Sequence, residues 1–75
     1  MNIVPVVTPR PGLSDFHVVP SSRGWYVERE GTPFPFSLFS TQKEAISEGV
    51  VLAKSAVVSL VIHGVDGRFR DVRSY

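Results

Sequence analysis

One stretch of this chain, Thr41 to Ser55, repeats its apolar residues at helical spacing, while its flanks alternate or break at turn residues. Ala45, Ile46, Gly49, Val50, Leu52, Ala53 and Ala56 form one broad stripe. Glu44, Ser47, Glu48, Val51 and Ser55 fall on the other face. Thr41-Gln42-Lys43-Glu44 fits a capping box, in which a hydroxyl and a carboxylate satisfy the first backbone donors. Glu44 and Glu48 are like charges one turn apart, so this helix depends on its packed stripe more than on surface pairs. Gly49 in mid-helix costs about 1 kcal/mol relative to Ala. Its expected reason is a close approach of the helix to a sheet.

The flanking segments supply that sheet. Asp15 to Pro20 reads as a first strand, Ser21 to Gly24 as a turn, and Gly24 to Glu30 as a second strand. Alternation puts Trp25, Val27 and Arg29 on one face, and Tyr26 and Glu28 on the other. Gly31 to Pro33 marks another turn. Phe34 to Phe39 is apolar and strand-like, and Pro35 confines it to an edge or an irregular start. After the helix, Val57 to Ile62 alternates strongly, with Val58, Leu60 and Ile62 together on one side. Asp66-Gly67 is a hairpin signal, expected as a type I′ turn. Arg68 to Val72 is the last strand, with Phe69 its expected inward anchor. The expected fold is α+β, a small antiparallel sheet with one amphipathic helix in the order β-β-(β)-α-β-β.

With 75 residues there is room for one core. The expected division is a Pro-rich arm, 1–14, holding Pro5, Pro9 and Pro11, followed by a single domain, 15–75. Apolar residues make up 43% of the chain and charged residues 20%, a globular balance. A core this small is marginal, and self-association is a common supplement. The chain has no cysteine, which removes disulfides and thiolate metal sites. The start, MNIVPVVTPRPGLS, lacks a charged leader and an unbroken apolar run, and no stretch is long and apolar enough to span a bilayer. The expectation is a cytoplasmic protein with no membrane contact.

His17-Val18-Val19-Pro20, Gly24-Trp25 with Val27, Thr41 with Glu44-Ala45-Ile46, and Ile62-His63-Gly64-Val65-Asp66-Gly67-Arg68 with Ser74-Tyr75 together form a spaced pattern. That pattern resembles the small bacterial family catalogued as domain of unknown function 2188, over about residues 16–75. The segment IHGVDGR is its most specific part. The resemblance implies the same hairpin, helix, hairpin order, and brings no catalytic or ligand residues with it. The chain departs from the family's usual polar segment before the helix, where it carries Phe34, Phe36 and Phe39.

No motif points to chemistry. His17 and His63 are the only histidines, and with Asp66 they lack fixed metal-ligand spacing. The expectation is that each hydrogen-bonds locally and shapes a hairpin, with no metal and no cofactor. Asp66-Gly67 is turn chemistry and not a phosphate loop, since no helix start follows it. No serine sits in a nucleophile elbow, and no carboxylate pair stands out. A catalytic role and a small-molecule substrate are therefore not expected.

Two surfaces remain. One helix covers one face of a sheet whose strands offer apolar groups on both. The other face is therefore expected to expose a patch for a protein partner or a second copy of the chain, the alternative being that residues 1–14 fold over and cover it. The candidate contact residues are Tyr26, Phe34, Phe36, Phe39 and Val51, with the arm contributing. An inhibitor or adaptor of a larger complex, even one of mobile-element origin, would suit such a module. The alternative is a weak nucleic-acid binder using Arg68, Arg70 and Arg73. Against it stand Asp66 and Asp71 among those arginines and a net charge of only +1.

Overall fold

A computed structural model describes residues 15–32 and 37–75. The arm at 1–14, residues 33–36 with Phe34 and Phe36 among them, and the side chain of Phe69 lie outside the described residues. The elements run β1 (Phe16–Ser21), β2 (Gly24–Arg29), β3 (Ser37–Phe39), α1 (Gln42–Ala56), β4 (Leu60–His63) and β5 (Phe69–Arg73). The α+β class and the element order are those expected.

The strands form one sheet in the order β3-β2-β1-β4-β5. The expectation of a purely antiparallel sheet is corrected at one junction: β1 and β4 pair in parallel. The cause is the helix crossover. Two reversals separate β1 from β3, so these two run the same way. A helix of 15 residues, about 22 Å long, then carries the chain back along the sheet. β4 starts at the end where β3 started, and beside β1 it can only be parallel.

The core lies between this sheet and α1. Phe16, Val18, Val27, Leu60 and Ile62 point from the strands towards buried Ala45 and Ala53. Trp25, Phe39, Ile46, Val50 and Leu52 pack around them. Gly49 is buried where the helix crosses the sheet, and a Cβ there would stand 2.7 Å from Leu60 Cδ1. That close approach is the one expected from the sequence.

The capping box forms as read. Thr41 Oγ1 accepts from the Glu44 N–H at 3.2 Å, and Glu44 Oε1 accepts from the Thr41 N–H at 3.2 Å. The far end differs. The helix runs through Ala56 and closes on Val57 in the left-handed region, so β4 begins at Leu60 rather than Val57. The β4–β5 turn also differs from type I′. Gly67 N–H donates to Gly64 O at 2.9 Å, and Gly67 alone in this turn has a positive φ, 81°. This is a turn followed by one left-handed residue, and it has a register shift beside it at His63.

Candidate functional site

Strand alternation decides what reaches the face opposite α1. Phe16 and Val18 point into the core, so His17 and Val19 point away from it. On β2, Tyr26 and Glu28 do the same, and on β4, Val61 and His63 do. Cross-strand register adds Leu38, opposite Tyr26, and Val72, opposite Val61. Among the described residues this face carries apolar groups towards both sheet edges and a polar centre. The centre is a cleft of about 360 Å³ lined by His17, Val19, Glu28, Arg29, Glu30, Gly31, Thr32 and His63.

Four groups in that centre form a continuous hydrogen-bond chain. His17 Nε2 lies 2.6 Å from Glu30 Oε1. His17 Nδ1 lies 2.9 Å from His63 Nε2. His63 Nδ1 lies 3.1 Å from the Gly67 carbonyl oxygen. The ring centres of the two histidines are 5.2 Å apart. The nitrogen separation plus one ring radius at each end spans that distance, so the rings meet edge to edge through their nitrogens and are not stacked. The backbone of His63 is held from the other side, where Gln42 Nε2 donates to the His63 carbonyl at 3.0 Å. Arg70 Nη1 in turn donates to Gln42 Oε1 at 2.9 Å.

The arrangement limits the chemistry available here. All four ring nitrogens of His17 and His63 have hydrogen-bond partners. The facing nitrogens of His17 and His63 point at each other head-on, whereas a shared metal ion requires lone pairs that converge on a third point. Asp66 is turned elsewhere: its Oδ1 accepts from the Arg68 N–H at 3.0 Å. Among the described residues, no group of three or more His, Cys, Asp or Glu side chains is placed to hold a metal ion.

The family model described as "Uncharacterized protein conserved in bacteria (DUF2188)" matches residues 16–75. The chain belongs to this family. The matched span holds all four members of the hydrogen-bond chain. Neither a curated protein nor a solved structure matches.

In this DUF2188 domain the contact residues expected from the sequence do not share one surface. Tyr26 is half-buried on the uncovered face. Phe39 pairs with Trp25 and packs against the core under α1. Val51 is exposed on the outer side of α1. Phe34 and Phe36 fall outside the described residues. The three arginines are also separated. Arg68 lies 3.6 Å from Asp66, Arg73 lies 3.5 Å from Asp71, and Arg70 is engaged by Gln42. The sequence reading missed Glu30. Glu30 lies one residue past β2, where the turn and not strand alternation aims its side chain.

Proposed function

We propose that this DUF2188 domain is a non-enzymatic protein-binding module. It docks through the sheet face opposite α1, and a second copy of the chain is its first occupant. One observation carries the reading: α1 covers one face, while the other presents Leu38 at 45% exposure and Val72 at 43%, with Tyr26 between Leu38 and the cleft. Exposed apolar side chains on the face that α1 does not cover gain when a partner removes them from water. A chain of 75 residues also has little core of its own, which favours a like copy. The nucleic-acid alternative draws less support, because Asp66 and Asp71 lie against Arg68 and Arg73 and partly neutralise the charge that phosphates would seek.

Sedimentation velocity over a concentration series tests the proposal. The wild-type mass is expected to rise towards a dimer with concentration. Leu38→Asp, a change at an exposed position, is expected to remain monomeric with an unchanged circular dichroism spectrum. A wild type that stays monomeric at its highest soluble concentration removes self-association. Retention of a generic oligonucleotide at low salt, lost at high salt, would shift the reading to the arginines.

A further inference from the structure

We infer that Glu30, His17, His63 and the Gly67 carbonyl form a proton-counted clasp, a pH-sensitive device that ties two turns to the uncovered sheet face. It stands whether or not that face docks a partner. The argument is an inventory of protons. A carbonyl oxygen can only accept, so His63 Nδ1, 3.1 Å from Gly67 O, carries hydrogen. The proton at the 2.9 Å contact sits on His17 Nδ1 when His63 is neutral, or on His63 Nε2 when His63 is an imidazolium and Glu30 is ionised. One more proton occupies the 2.6 Å contact between His17 Nε2 and Glu30 Oε1. In either arrangement the groups together carry no net charge. Three links hold three protons.

Within these three contacts the number cannot change without breaking a link. Remove one proton, and a carboxylate faces a bare ring nitrogen. Moving the ring protons one step along only transfers the fault, because His63 Nδ1 then faces Gly67 O bare. Add one proton to His63 Nε2, and it meets the N–H of His17. The clasp is whole in one protonation window, and imidazoles change charge near neutrality. Its ends are mechanical. Glu30 belongs to the turn after β2, and Gly67 to the turn between β4 and β5. Both are drawn against β1 and β4, and Glu30, Gly31 and Thr32 wall the cleft.

The other charged groups nearby do not substitute for these links. Glu28 faces His17 across the β1–β2 pair and lines the cleft. Arg29 lies over the Phe16 ring at 4.8 Å. Asp66 pairs with Arg68 in the β4–β5 turn, and Asp71 pairs with Arg73 on β5. Asp15 accepts from the Ser59 N–H at 3.0 Å. α1 lies across the sheet and reaches the clasp through Gln42, on the His63 carbonyl.

Linkage fixes the expected signs. On the alkaline side the native state keeps a proton that the unfolded chain has released, so stability falls as pH rises. On the acid side the unfolded chain binds more protons, so stability falls as pH drops. The test combines ring ¹⁵N spectra of the histidines with urea unfolding across about pH 5 to 9, for wild type and Glu30→Gln. Near neutrality His63 is expected to carry hydrogen on Nδ1. The wild-type folding constant is expected to drop roughly three- to tenfold on each limb, the worth of one hydrogen bond. The Gln carboxamide supplies the Glu30–His17 proton permanently, so Glu30→Gln is expected to lose the alkaline limb and keep the acid one. His63 as the Nε2–H tautomer, or an alkaline limb unchanged in Glu30→Gln, overturns the clasp.

Discussion

Val57 closes α1 with φ 55° and ψ 49°, and donates its N–H to the carbonyls of Ala53 and Lys54. A branched side chain in the left-handed region crowds its own backbone by about 1–2 kcal/mol, and Gly is the residue that escapes this. The Val57 side chain returns little in packing, since the residue is 72% exposed. Val57→Gly is therefore expected to raise stability by about 1 kcal/mol, after the entropy that Gly adds to the unfolded chain. A higher urea midpoint at constant slope would show it, and a lower midpoint would mean that the side chain packs in solution. The same position explains a boundary that sequence could not place. Val57-Val58 reads as strand because branched residues favour strands. Nothing local marks a helix end there, with neither Gly nor Asn present. His17 was legible as an outward-facing residue, but its partner Glu30 lies one residue past β2, where a turn rather than alternation aims the side chain.

At the scale of elements, types were legible and neighbours were not. Period and capping residues identify α1, and the closely spaced hairpin residues identify β1 with β2. Which strand accepts β4 depends on where a crossover returns, and that information is spread over the whole helix. The capping box is the element-level device most open to test. Thr41→Ala removes the hydroxyl that accepts from Glu44 N–H, and about 1 kcal/mol of stability is expected to go with it. The Ser40 hydroxyl, then that of Thr41, hold the Glu44 carboxyl below its ordinary value. A carboxyl lowered in the folded state contributes stability above its unfolded value and loses it as pH falls through the lowered one. Glu44→Gln is thus expected to be less stable than wild type at neutral pH. The gap should close in acid, below the ordinary carboxylate range. A gap that stays constant with pH would mean that the ionised carboxylate contributes nothing to this helix start.

The whole molecule is stabilised by few parts. At about 0.05–0.15 kcal/mol per residue, a chain of this length has about 4–11 kcal/mol in total. Among the described residues the cluster between α1 and the sheet holds seven buried side chains, so each is a large share of the whole. Leu60 is the strongest test among them. It is fully buried, and its Cδ atoms sit under Gly49, where α1 already comes close to the sheet. Leu60→Ala is expected to lose about 2–5 kcal/mol, which lowers the melting temperature by more than about 10 °C in a domain this small. Val51→Ala, on the exposed side of the same helix, is expected to change stability by less than about 0.5 kcal/mol. Thermal unfolding of both variants at one low concentration keeps association from masking the difference. If Val51→Ala proved as damaging as Leu60→Ala, the outer face of α1 would be buried in solution, and the surface that meets a partner would be the helix and not the open sheet.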